Sequence, residues 1–144
     1  MTIYQSSELI YQSNYLELYL KTKSNALFIK WLPENIFMNN EEFTKELYLI
    51  FEVVRTIHTE CVLFDSYYYN HLISPTNLMA IRQFVEVYPA KSLIVSNSKY
   101  ALGRQMVNTL ACTLSDLKVN IFVFNSEDEC DEWFSTNFLS AHAN

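Results

Sequence analysis

Glycine is almost absent: the 144-residue chain contains one, Gly103. A G-x-G-x-x-G dinucleotide fingerprint needs three glycines and a Walker loop needs two, so both phosphate-cradling motifs are excluded. Basic residues are scarce as well. Ten Lys and Arg stand against sixteen Asp and Glu, for a formal net charge of -6, whereas neutralising a nucleic-acid backbone needs the opposite surplus. The three cysteines, Cys61, Cys112 and Cys130, are odd in number and widely spaced. They read as reduced thiols in apolar patterns rather than as a disulfide framework. His58, His71 and His142 lie apart from one another and from the cysteines, which leaves no metal-ligand spacing. No apolar run approaches the roughly 20 residues that span a bilayer. The opening MTIYQSSELIYQSNY has neither a basic start nor a continuous apolar stretch, so a cytoplasmic location without a signal peptide is expected.

Apolar residues make up 50% of the chain, enough to bury one core, and residues 1–144 read as a single domain. The first third has the alternation of strands: Glu8 to Gln12, Tyr15 to Lys21 and Ala26 to Leu32, punctuated by Ser13-Asn14 and Lys23-Ser24-Asn25. Such short connections join antiparallel neighbours, and Pro33 closes the third strand. Thereafter the period lengthens. Phe43, Leu47, Ile50, Val54 and Ile57 share one helical face, with Asn40 as the expected cap. Cys61 to Asp65 is a buried strand, and Ser74-Pro75 opens a second helix carrying Leu78, Ile81, Val85 and Tyr88. Ser92 to Ser96, a third helix from about Lys99 to Thr113, and Val119 to Phe124 continue the alternation. Ser126-x-x-Glu129 caps a last helix through Cys130, Trp133 and Phe134, and the tail from Ser140 is expected to fray. The fold class is therefore α/β: a mixed sheet with an N-terminal antiparallel meander, followed by alternating helices and parallel strands.

Chemistry-bearing residues are few. Nucleophilic catalysis needs Ser or Cys beside an oriented His, and no G-x-S-x-G elbow or Cys/His signature occurs, so the expectation is a non-enzymatic protein without cofactor or metal. Asp65 ends a strand, where open α/β folds place functional groups, but the first strands supply no paired acid to hold magnesium with it. A loop acid bonding backbone amides is the plainer reading. Tyr67, Tyr68 and Tyr69 form an aromatic run after the same strand. They read either as partial core cover or as a binding patch. His71 is the one histidine in a strand-to-helix loop, and Arg104 adjoins Gly103. A site assembled from Asp65, His71 and Arg104 is the remaining enzymatic reading. Gly103 itself lies in a helical pattern, where a missing Cβ permits close packing.

The series Ile29-x-Trp31, Met38-x-x-x-Glu42-Phe43, Val62-Leu63-x-Asp65, Ile73-Ser74-Pro75, Leu93-Ile94-Val95-x-Asn97, Gly103-Arg104 and Val123-Phe124-x-Ser126-Glu127 resembles SpoIIAA-like proteins of the STAS/Sec14-like structural group, which includes many bacterial members. The resemblance spans about Ala26 to Phe134. It implies a regulatory, protein-binding module, and Ser74 is the nearest match to the serine that a partner kinase phosphorylates in anti-sigma-factor antagonists. A phosphate there would meet the amides of a helix start. The Asp-Ser-Ser-Gly-like motif is absent, however, and Ser74 before Pro75 also reads as an ordinary helix cap. The Sec14-like side of the group implies a small apolar or lipid ligand instead. An exposed edge in the first strands would allow a homodimer.

Overall fold

The computed structural model describes residues 7–139; the tail from Ser140, with His142, lies outside the described residues. Six strands form one sheet in chain order: β1 (Glu8–Gln12), β2 (Leu16–Lys21), β3 (Ala26–Trp31), β4 (Cys61–Asp65), β5 (Ser92–Ser96) and β6 (Asn120–Phe124). β1, β2 and β3 are antiparallel, and β3 through β6 are parallel. The expected meander and parallel continuation are both present. Alternation sets the register. Leu16, Leu18 and Leu20 of β2 stand opposite Trp31, Ile29 and Leu27 on one face, while Glu17 and Tyr19 stand opposite Lys30 and Phe28 on the other.

Three helices join the parallel strands: α1 (Asn40–Ile57), α2 (Pro75–Val87) and α3 (Ala101–Leu114). Each strand sits beside its predecessor, so successive crossovers of one hand put all three helices on the same face. Their apolar stripes meet Leu16, Leu18, Leu27, Ile29, Val62 and Leu93 in the larger core. The opposite face carries Ala26, Phe28, Cys61, Leu63 and Ile94, and it is covered by α4 (Glu127–Phe134) through Cys130 and Phe134. Phe28 and Phe134 meet edge-on with centroids 5.2 Å apart.

The cap of α1 falls one residue before the expected Asn40. Asn39 accepts from the Glu42 amide at 2.8 Å and its own amide donates to the Glu42 carboxylate at 3.0 Å. This reciprocal box needs a spacing of three, which Asn39 has with Glu42 and Asn40 lacks. The helix ends at His58, whose φ of 50° is the left-handed stop. Among the described residues no helix is long and apolar enough to cross a membrane.

Candidate functional site

Between the sheet and the three crossover helices lies a cavity of about 110 Å³. Its floor is Val62, Leu93, Val95 and Ile121, from alternate positions of β4, β5 and β6. α1 supplies Leu47, Ile50 and Val54, and α3 supplies Met106, Leu110 and Leu114, from the stripes that the 3.6-residue period lays along each helix. α2 forms the third wall with Ile81, Phe84 and Val85, which are only half-buried; Asn77 is the one fully buried residue of that helix. Phe51 of α1 stacks on Phe84 at 4.3 Å, and Phe84 stacks on Tyr88 at 5.1 Å. These partly exposed rings line the cavity where α1 and α2 meet.

At the end of the cavity near the strand C-termini stands an aromatic layer. The Tyr69 ring meets Trp31 edge-on at 5.0 Å, Trp31 stacks on Phe43 at 6.0 Å, and Phe43 stacks on His71 at 5.2 Å. Tyr69 lines the cavity and is 4% exposed, and its hydroxyl has no hydrogen-bond partner. Burial pushes this phenol far above its ordinary value, so at neutral pH it is a protonated donor. The Nδ1 atom of His71 is likewise buried without a partner, and burial holds that imidazole below its usual pKa against the opposing pull of nearby backbone carbonyls.

The loop carrying these two residues is fixed from both sides. Fully buried Asn35 donates to the carbonyl of Tyr68 at 2.6 Å and accepts from the amide of Asn70 at 2.8 Å. Ser98, after β5, donates to the Tyr69 carbonyl at 2.7 Å, and the Ile73 amide donates to the Met106 sulfur at 3.3 Å. A Cβ on Gly103 would lie 2.0 Å from that same Tyr69 carbonyl oxygen and 2.2 Å from Ser98 Oγ. The single glycine is therefore a packing glycine, as its place in a helical pattern led one to expect.

The sequence candidates are divided between the two faces of the sheet. Asp65 is buried at the end of β4, accepts weakly from the Tyr67 amide at 3.4 Å, and acts electrostatically on Glu127 and Cys130 of α4. His71 stacks against α1 on the other face, so the sheet stands between the two. Arg104 is exposed and donates to the carbonyls of Ser98 and Lys99 at 3.3 and 2.8 Å. The tyrosine run splits: Tyr69 enters the core, whereas Tyr67 and Tyr68 remain at the surface, where Lys99 lies 5.7 and 5.4 Å from their ring centroids and 5.2 Å from Tyr100. Ser74 caps α2 by accepting from the Asn77 amide at 3.2 Å.

Residue-by-residue reading missed the cavity and the rings that line it between α1 and α2. Phe51 and Phe84 flank their helical stripes by one position, which was the available signal. Cys61 and Cys130 are buried as expected, with thiols pushed up to about 12 by burial, and Cys112 is exposed instead. Compared with protein-family models, with curated proteins and with solved structures, the chain finds no match.

Proposed function

We propose that this protein is a non-enzymatic binding module that takes a small, uncharged, apolar molecule into the cavity between its sheet and α1, α2 and α3. One observation carries the reading: a void of about 110 Å³ lined almost wholly by apolar and aromatic side chains, with Ser66 the small polar residue among them. Native interiors are packed to crystal density, and voids larger than a water molecule are few. Dry apolar cavities of about 150 Å³ are known to admit benzene. Among the described residues, no Asp, Glu, Lys, Arg or His lines this one, and burying an unpaired charge would be costly. Titration of the methyl-labelled protein with benzene, followed by NMR, tests the proposal. Shifts are expected at Ile50, Val54, Leu93 and Met106, and their absence at millimolar benzene would end it.

A second reading keeps the regulatory, protein-binding role that the SpoIIAA-like resemblance implies, with Ser74 as the switch. It is favoured by the placement of Ser74, half-buried at the N-terminus of the 13-residue α2, one residue from Ile73 and two from the 61%-exposed Leu72. A phosphate at that point gains from the helix dipole, and α2 is a wall of the cavity, so partner and ligand would act on the same helix. Within this reading the outer edge of β1, with Leu9 and Ile10 exposed, is where a second copy would pair. Intact-mass analysis of the protein isolated from growing cells, before and after phosphatase, decides it: no phosphorylated species means that Ser74 is a cap alone.

A further inference from the structure

Tyr67 and Tyr68, the surface half of the tyrosine run, are not among the residues that line the cavity. They follow β4, while Lys99 and Tyr100 follow its parallel neighbour β5, so the two strands bring four residues to one edge of the sheet. Three rings surround the Lys99 ammonium, their centroids 5.7 Å (Tyr67), 5.4 Å (Tyr68) and 5.2 Å (Tyr100) from Nζ. The Tyr67 and Tyr68 rings meet at 83° with centroids 5.0 Å apart, which makes a corner rather than a flat platform. Although the chain carries a formal net charge of -6, Lys99 makes no salt bridge with a described carboxylate. The negative faces of the rings attract its charge instead.

The walls of this cluster are tied down by their backbones. The Lys99 amide donates to the Tyr67 carbonyl at 3.0 Å and so joins the two loops, the Tyr100 amide donates to Ser98 Oγ at 3.0 Å, and Asn35 holds the Tyr68 carbonyl at 2.6 Å. Rings placed in advance lower the ordering cost of binding. All three centroid distances lie toward the outer end of the roughly 6 Å reach of a cation–π contact. That spacing leaves room for methyl groups between a nitrogen and the ring faces. Lys99 is exposed, and a primary ammonium on a flexible stem is strongly hydrated. A quaternary ammonium has no N–H to hydrate and is the cation that aromatic cages select.

We propose that Tyr67, Tyr68 and Tyr100 form a cage for a quaternary ammonium group, with Lys99 as a tethered occupant that the ligand displaces. The ligand class is a small trimethylammonium compound, whose approach the negative net charge favours. This site is separate from the cavity, and its failure would leave the cavity reading untouched.

Amide NMR of the full chain titrated with choline tests the proposal, with 3,3-dimethylbutanol as the uncharged probe of the same shape and ammonium chloride as the control for bare charge. Choline is expected to shift Tyr67, Tyr68, Lys99 and Tyr100, and both controls to leave them in place. Lys99→Gln removes the tethered competitor and should tighten choline binding about twofold to fivefold, while Tyr67→Leu should weaken it by a similar factor, the range of one exposed cation–π contact. Both changes fall on exposed side chains, and unchanged urea midpoints would show that the fold is kept. Sedimentation with phosphatidylcholine vesicles separates the sources of the group: the protein is expected to stay in solution, whereas pelleting that Tyr67→Leu abolishes would assign the cage to a lipid headgroup. If Lys99→Gln shows no shifts at millimolar choline, or if dimethylbutanol binds as well as choline, the cage is overturned.

Discussion

Gly103 and His71 show what single positions contribute here. Since a Cβ at residue 103 would stand 2.0 Å from a backbone carbonyl, no side-chain rotation relieves the overlap, and either the helix or the Tyr69 loop must move. Gly103→Ala is expected to cost at least the usual ~1–3 kcal/mol of overpacking, read as a lower urea midpoint at unchanged slope. An unchanged midpoint would show that the loop is not seated as described. For His71, burial disfavours the imidazolium, so its folded pKa lies below the ordinary 6.5. The unfolded chain then takes up the proton first. The contribution is full above about pH 6.5 and is lost as pH falls through that value toward the lower folded pKa. Urea midpoints measured from pH 8 to pH 5 should drop toward the acid end, and His71→Gln should flatten that part of the slope. Of these two residues, the sequence marked the glycine as a packing position by its helical context. It could not show that the packing partner was the loop bearing Tyr69.

Among the elements, the β1–β2 hairpin depends on a helix it does not touch in sequence. Glu46 of α1 is buried at 7% exposure and accepts from Tyr11 at 2.8 Å and from Ser13 at 2.6 Å, and Tyr15 donates to Glu42 one turn earlier. A carboxylate is tolerated at such a depth when hydroxyls surround it. Tyr11→Phe removes one donor and leaves an acceptor short of a partner. The expected cost is about 1.5–3 kcal/mol, because the acceptor is charged. Hydrogen exchange should accelerate in β1 and β2 more than in α3; equal acceleration throughout would argue against a local latch. The helical stripe of Phe43, Leu47, Ile50 and Val54 was plain from spacing alone. Glu46 was not, since a carboxylate beside the stripe reads as surface until the hairpin is folded over it.

At the level of the whole molecule, stability and binding draw on the same void. Leaving a cavity unfilled forfeits dispersion contacts on every wall, so a larger apolar side chain reaching into it should stabilise the protein while displacing a ligand. Ala111, on α3 and among the lining residues, is the position to enlarge. Ala111→Val is expected to raise stability by about 0.5–2 kcal/mol and to weaken benzene binding. A gain in stability with benzene affinity intact would place the ligand elsewhere. Bound ligand should stabilise in its own right, by about 2.7 kcal/mol at one hundred times its Kd, visible as a concentration-dependent melting temperature.

The sequence by itself determined the α/β class, the antiparallel opening and the parallel continuation, because periods of two and 3.6 residues and turn-forming punctuation are local properties. It also placed the Ser74 and Ser126 caps, and it removed the glycine-dependent phosphate sites by count. Only the tertiary structure decided that β1 through β6 lie in chain order, that α1, α2 and α3 share one face, and that their packing leaves a void. It alone divided Tyr67, Tyr68 and Tyr69 between surface and core and set Asp65 across the sheet from His71. Those outcomes depend on how side chains far apart in sequence fill space against one another, and no local pattern carries that information.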